Sequence, residues 1–393
     1  MQEILEGLND KQYEAVVNTE GPCLVIAGAG SGKTKVLTHK IAYLIGEKNV
    51  LPWEIIAITF TNKAANEMKE RIANLVGETA KDIWMGTFHS ICVRILRRFI
   101  DRIGFDSSFI IFDTSDQRTL VKNCLKDLAI DDKMFTDRSV LSEISNAKNE
   151  MLEPEQYTAR ANGDFRKEKI AKVYELYQKR LRENNAIDFD DIINYTIKIL
   201  LENPDVLDYY SNKFKYVLVD EYQDTNKSQF TLITLFASKY GNITVVGDND
   251  QGIYSFRGAD ISNILNFEKD FPGTKIIKLE QNYRCTGNIL KVANSVIKNN
   301  EVKKKVFNMV VLHYMADAIT KNIIWNNDLS GREKKKLIRK TMERCSHQEE
   351  LYLDKDNPRY LQQMYKSIRS GRSGYFYWYV KLGDWKRKGT DGK

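Results

Sequence analysis

The stretch Val25-Ile26-Ala27-Gly28-Ala29-Gly30-Ser31-Gly32-Lys33-Thr34 is a short apolar strand running into a glycine-rich turn that closes on lysine and threonine. Each position in the turn has a task. The glycines let the backbone curl so that N–H groups of Ala29, Gly30, Ser31 and Gly32 point at a β-phosphate, Lys33 reaches the β- and γ-oxygens, and the Thr34 hydroxyl is placed to hold Mg²⁺. Lys35 to Leu44 reads as a helix whose positive N-terminal end faces the phosphates. A nucleoside triphosphate is therefore the first ligand to expect, and the fold class is α/β with a parallel sheet.

Such a loop needs an acidic element at the end of another strand. Tyr216-Val217-Leu218-Val219 is apolar and β-branched, and it delivers Asp220-Glu221 where ligands sit in open α/β sheets. Asp220 is the expected partner of the Mg²⁺ shell, and Glu221 is the candidate to orient or deprotonate the attacking water. A further strand, Ile243 to Val246, ends in Gly247-Asp248-Asn249-Asp250-Gln251, and Gln251 carries the amide chemistry needed to report nucleotide state.

Aromatic residues follow these strand ends. Tyr254, Phe256 and Arg257 lie directly after Gln251 and suit base stacking with a phosphate contact, the other reading being core packing. Ile55 to Ile58 is another apolar strand, leading into Thr59-Phe60-Thr61-Asn62-Lys63 and a helix over Ala64 to Leu75. Phe60 is either the last core residue of that strand or a wedge facing nucleotides. The hydroxyls of Thr59 and Thr61, with Lys63 and the helix start, offer phosphate contacts and favour the wedge. Gly86-Thr87-Phe88-His89-Ser90 repeats the arrangement, making His89 the histidine with a nucleic-acid role, whereas His39 reads as structural. His313 and His347 have no ligand-like neighbours at metal spacing.

With these motifs in hand, the chain resembles the UvrD/Rep/PcrA group of superfamily 1 DNA helicases. The resemblance is carried by Leu8-Asn9-Asp10-Lys11-Gln12, the phosphate loop, Thr59 to Ala65, Gly86 to Ser90, Asp188-Phe189-Asp190-Asp191, Asp220-Glu221-Tyr222-Gln223-Asp224, Gly247 to Arg257 and Gln281-Asn282-Tyr283-Arg284, over roughly residues 5 to 307. It implies a RecA-like ATP-binding fold and a motor that moves 3′-to-5′ along single-stranded DNA, or DNA with a 3′ single-stranded tail, between two RecA-like domains. Gln12 would read the adenine edge, Tyr283 would stack on the base, and Arg284 would reach the γ-phosphate as an arginine finger. Gln251 would couple hydrolysis to a DNA channel lined by Phe60, His89, Tyr254, Phe256 and Arg257, beside Thr61, Asn62 and Lys63.

Some positions depart from the family pattern. Lys35 stands near the nucleotide where an arginine is usual, and it lacks the planar guanidinium needed for stacking. Asn249 replaces a common aspartate, and Phe256 a common tryptophan. After Phe307 the rest of a second RecA-like domain cannot be found. The expected organisation is a first part of the ATP-binding domain (1–112), a helical accessory insertion (113–187), its second part (188–284), the start of a second RecA-like domain (285–307) and an unassigned C-terminal segment (308–393). A further strand is expected at Ser108 to Phe112, a helix at Phe165 to Glu183, and return of the parallel sheet at about 188. Asp188 to Asp191 reads as an N-cap and acidic first turn ahead of Ile192 to Leu201, with no chemistry assigned.

Composition agrees with this reading. Lys+Arg 60 against Asp+Glu 53 leaves a formal charge of +7, which suits a polyanionic partner. The five scattered cysteines argue against a disulfide framework or a zinc site, and no apolar run is long enough for a membrane span, so a cytoplasmic location is expected. The tail carries basic runs, Lys303 to Lys305 and Arg332 to Lys336, and an aromatic string, Tyr375 to Tyr379, suited to local core, protein contact or nucleic acid. Two functions remain: an ATP-driven DNA motor, working with a protein partner or a second copy of the chain or retaining activity through its unassigned tail, and an incomplete motor fragment that binds ATP and single-stranded DNA without productive unwinding.

Overall fold

Short runs of apolar and β-branched residues set the strands. The computed structural model describes residues 2–248, 260–284 and 287, and Met1–Cys285 forms one compact unit. Its strands are β1 (Cys23–Ala27), β2 (Ile55–Thr59), β3 (Trp84–Thr87), β4 (Ile110–Ile111), β5 (Ala186–Ile187), β6 (Tyr216–Val219), β7 (Ile243–Gly247) and β8 (Lys275–Leu279). Six of them build one sheet in the order β3-β2-β6-β7-β1-β8, and every pairing in it is parallel.

Because successive side chains point to opposite faces, the inner strands must be apolar on both. Val217, Val219 and Leu24 join the hydrophobic cluster on one face, whereas Leu218, Cys23, Val25 and Ala27 join the cluster on the other. The second face is covered by α2 (Asp10–Val17), α3 (Lys33–Gly46) and α4 (Asn62–Val76), with the short α1 (Gln2–Leu5) ahead of them. The first is covered by α5 (Phe88–Phe99) and helices from later in the chain. The edge strand β8 alternates exposed Ile276 and Lys278 with buried Ile277 and Leu279, so only one side of it is packed.

Four helices follow β4: α6 (Thr114–Asp127), α7 (Asp137–Asn149), α8 (Pro154–Ala161) and α9 (Phe165–Glu183). They share a hydrophobic core of their own, built on Val121, Ile144, Val173 and Tyr177. The expected strand at Ser108 to Phe112 is corrected. Only Ile110–Ile111 is extended, and it pairs with β5 in a separate two-stranded sheet. Ile110 N donates to Asn185 O at 3.0 Å and Phe112 N to Ile187 O at 2.9 Å. This ladder staples together the points where the chain leaves for the helices and returns, which is why so short a strand persists. The main sheet likewise resumes not at 188 but at β6, after α10 (Phe189–Glu202) and α11 (Pro204–Lys213). The remaining described helices are α12 (Lys227–Ala237), α13 (Ser262–Leu265) and α14 (Phe267–Asp270). No helix among the described residues is long and apolar enough to cross a membrane.

Parallel pairing puts the C-terminal ends of β1, β2, β3, β6 and β7 at one sheet edge, which is where the sequence motifs emerge. Gln251, Tyr254, Phe256, Arg257, the two later histidines, the basic runs and the aromatic string of the tail lie outside the described residues.

Candidate active site and nucleic-acid groove

At the end of β1 the chain turns through Gly28 to Gly32, with Ser31 donating its N–H and hydroxyl to Gly28 O at 3.2 and 2.7 Å. Gly30 and Gly32 have φ of +79° and +94°, a region that side chains disfavour. Contact also demands glycine here: a Cβ on Gly30 would stand 2.5 Å from Arg284 Cβ, and one on Gly32 2.6 Å from Gln12 Nε2. Gly32 is the N-cap of α3 and makes no side-chain cap bond, so the first N–H groups of that helix are left to an anion. Thr34, the second residue of α3, is half-buried in this first turn.

Lys33 is 9% exposed and its Nζ donates to Glu221 Oε2 at 2.7 Å, so two candidate catalytic side chains, one from the start of α3 and one just past the end of β6, meet directly. Glu221 itself has a left-handed backbone, φ +49°, an unusual state for a residue with a side chain and a form of strain that clusters at functional sites. Asp220 is buried beside it and accepts from Glu221 N at 2.9 Å. Burial, and then the neighbouring Glu221 carboxylate, push the Asp220 carboxyl up to about 6. A hard cation would reverse that cost. Thr34 and Asp220 are oxygen donors of the kind Mg²⁺ takes alongside phosphate oxygens and water, and the described residues hold no larger cluster that would cage a metal by protein alone.

Gln223 is a residue that sequence reasoning left without a role. Its Nε2 donates to Glu221 Oε2 at 2.9 Å while its Oε1 accepts from Asp248 N at 3.0 Å. It thus ties the end of β6 to the end of β7 and holds the glutamate. Its position inside the quoted acidic motif, two residues past Glu221, was the available signal.

The expected adenine side also assembles. Asn9 caps α2 in a reciprocal box with Gln12, and buried Gln12 donates from Nε2 to Ser31 O at 2.9 Å. Asn9 Nδ2 donates to the Tyr283 hydroxyl at 2.6 Å, and Tyr283 N donates to Gly30 O at 2.8 Å. Asn282 Nδ2 donates to Ala29 O, so the segment after β8 lies directly on the phosphate loop. Tyr283 leaves 56% of its surface exposed, free to face a base. Lys35 turns its Nζ to Gly7 O at 2.6 Å, holding the N-terminal segment.

Next to this site is a cleft of 570 Å³ lined by Phe60, Thr61, His89, Ser145, Phe189 and Asp190, among others. Phe60 packs edge-on to Phe88 at 5.7 Å and is only partly buried, so it closes the core and lines the cleft at once. Thr61 caps α4, accepting from Ala64 N at 3.1 Å, with Asn62 and Lys63 exposed on the first turn. Thr59 is corrected: it is fully buried and donates to Thr61 O at 3.1 Å, so it presents no hydroxyl to a phosphate. Burial pushes the His89 imidazole below its ordinary value, which favours a neutral ring. That ring stands 5.5 Å from Phe189, a 51% exposed aromatic at the start of α10. Asp188 caps α10 in a reciprocal box with Asp191, as the acidic turn suggested, but Phe189 between them was missed. An aromatic on the polar side of an otherwise well-packed helix start was its only signal. His39 Nδ1 donates to Ile4 O, 2.6 Å away, in the structural role expected of it.

Residues 8–272 match the UvrD/REP helicase N-terminal domain. The chain belongs to the UvrD/Rep helicase family. It is 56% identical over 302 residues to the ATP-dependent DNA helicase PcrA of Bacillus subtilis, which covers 77% of this chain and 41% of that protein. It is also 56% identical over 304 residues to the proteins of the same name from Staphylococcus epidermidis and Staphylococcus aureus, covering 77% of this chain and 42% of theirs. This UvrD/Rep chain therefore spans about two fifths of the length of the relatives it matches. The parallel sheet is the α/β helicase core that the motifs announced.

Proposed function

We propose that this chain is the nucleotide- and DNA-binding part of an ATP-dependent 3′-to-5′ DNA helicase or translocase, acting in the cytoplasm on single-stranded DNA or DNA with a 3′ single-stranded tail. The observation that carries it is the Lys33–Glu221 contact at 2.7 Å, formed at the same sheet edge as the aromatic cleft. The relatives' shared name, ATP-dependent DNA helicase, supports the reading.

In this mechanism the amides of Ala29 to Gly32 and the ammonium of Lys33 cradle the β- and γ-phosphates, and Arg284 approaches the γ-phosphate from the segment packed on Gly30. Glu221, steadied by Gln223, accepts a proton from water as its oxygen bonds to the γ-phosphorus and the bond to the bridging oxygen of ADP breaks. Mg²⁺ held by Thr34 and Asp220 would neutralise charge on the β- and γ-oxygens. Gln12 and Tyr283 select and stack the base, and Gln251 relays the state of the γ-phosphate. Phe60, His89, Phe189, Tyr254, Phe256 and Arg257, with Thr61, Asn62 and Lys63, hold the strand by stacking and phosphate contacts.

A second reading is ATP and single-stranded DNA binding without unwinding, the match to the relatives spanning 41% to 42% of their length. Steady-state ATP hydrolysis with and without oligothymidylate, with Lys33→Ala as blank, tests the proposal. DNA-stimulated turnover that Lys33→Ala abolishes supports it, and unwinding of 3′-tailed but not 5′-tailed duplex supports the polarity. Binding of both ligands with negligible turnover supports the second reading, with a protein partner or a second copy of the chain then required. Turnover equal to that of Lys33→Ala without ATP binding refutes both.

A further inference from the structure

Lys148 is a buried lysine that the nucleotide chemistry does not use. It lies in the last turn of α7, and its Nζ donates to Asp188 Oδ2 at 2.6 Å and to Asp191 Oδ1 at 2.7 Å. The Tyr177 hydroxyl donates to the same Asp188 oxygen at 2.9 Å, and Gln178 Nε2 donates to Asp191 at 3.0 Å. Burial pulls the Lys148 ammonium down, but Asp188 and Asp191 more than offset it and hold it well above the usual lysine range. These two aspartates are the box that starts α10 and brackets Phe189. Lys148 therefore fixes where one aromatic of the cleft stands.

The next side chain reaches a different element. Asn149 Oδ1 accepts from Asn226 Nδ2 at 2.6 Å, and Asn226 is the N-cap of α12. Asn226 follows the single 3₁₀ turn Tyr222–Asp224, whose own N-cap is Glu221. Thr225 O, just before it, accepts from Asn263 Nδ2 at 3.0 Å and from Asp260 N at 2.9 Å. The backbone between the two α7 contacts is held as well, since Lys148 O accepts from Asn194 Nδ2 at 2.8 Å and from Met151 N at 2.9 Å. One helical turn thus grips the start of α10 with Lys148 and the cap after the catalytic turn with Asn149.

Given the DNA-stimulated ATP turnover proposed above, we infer that Asn149 is a positioning residue that couples DNA occupancy of the cleft to the alignment of Glu221. A base stacked on Phe189 bears on the start of α10, and its capping aspartates pass any shift to Lys148. The last turn of α7 moves as a unit, so the shift arrives at Asn226 and at the turn that carries Glu221 and Gln223. Misplacing a catalytic group by about 1 Å costs on the order of 10²-fold in rate, so a small movement is enough. The physical requirement is an element that responds to both sites; α7 lines the cleft through Ser145 and Asn149 and reaches Asn226, just past the turn that carries Glu221, through Asn149.

The test uses the full chain with Asn149→Ala, and Asn149→Asp as the conservative variant that keeps an acceptor oxygen for Asn226. ATP turnover is measured against oligothymidylate concentration and without DNA, and DNA affinity by fluorescence anisotropy. In Asn149→Ala, maximal DNA-stimulated kcat falls about tenfold while DNA-free turnover and DNA Kd stay unchanged, and Asn149→Asp recovers most of the loss. Unchanged stimulation in Asn149→Ala overturns the inference alone. Because Asn149 also lines the cleft, a loss of DNA affinity overturns it by marking a direct DNA contact, and a parallel loss of DNA-free turnover overturns it by marking a merely structural one. An unsubstituted chain with no stimulation overturns the proposed function and this coupling together.

Discussion

Phe189 shows how a single side chain acquires a role from its surroundings. Its ring is half exposed because the aspartates on either side are drawn inward by Lys148, leaving the aromatic to face the cleft beside His89. Stacking on one base is worth about 1 to 3 kcal/mol. Phe189→Ala is expected to raise the Kd for oligothymidylate by that amount and to leave ATP affinity unchanged, both measured by titration of the same preparation. An unaltered DNA affinity would reduce Phe189 to a lid on the His89 ring. Gln223 illustrates the same dependence inside the nucleotide site, where its amide bridges two strand ends that are remote in sequence.

Among elements, α2 and α3 make an unusual joint. Lys40 on α3 is 1% exposed, and its Nζ donates to Ala15 O at 3.3 Å and Asn18 O at 2.5 Å, carbonyls at the C-terminal end of α2. This holds the helix that carries Gln12 against the helix that begins with Lys33. Burial pulls the Lys40 ammonium down to about 8, with Cys23 and Glu20 opposing the shift and Lys275 adding to it. The unfolded lysine keeps its proton to about 10.5, so between those values the unfolded chain binds more protons and stability rises with pH. Below pH 8 the cost of burying the cation is present in full. Relative to Lys40→Met, the unsubstituted protein should gain about 3 kcal/mol from pH 8 to 10.5, read from urea unfolding midpoints. Parallel curves for the two proteins would contradict the assignment of that burial cost to Lys40.

At the scale of the whole molecule, the helices α6 to α9 meet the sheet-bearing core through charge as well as apolar surface. Lys148, Asp188 and Asp191 are each about 2% exposed, and removing the lysine strands two carboxylates without their cation. Breaking such a buried pair costs about 3 to 5 kcal/mol. Lys148→Met is expected to lower unfolding stability by that amount in a denaturant titration, and adding Asp188→Asn and Asp191→Asn to recover part of it. A neutral single substitution would show that water already enters the joint. The strands β4 and β5 close the same junction by backbone pairing, so α6 to α9 are tied to the sheet-bearing core by two independent means.

The sequence by itself determined the glycine-rich loop, the strands that feed that sheet edge and the helix Phe165 to Glu183. Those signals are local: the glycines, Lys33 and Thr34 are set by covalent spacing around a phosphate, and short continuous apolar runs mark strands buried on both faces. Gln12, Tyr283 and Arg284 were legible only through the motif series, since nothing within their own segments points at the loop they touch. Tertiary structure alone decided the rest. Lys148 meets Asp188 across 40 positions of chain, Ile110–Ile111 finds β5 rather than the main sheet, and Thr59 is sealed from any phosphate. Which polar group is buried, and with whom, depends on how remote elements pack, and no local pattern encodes that partner.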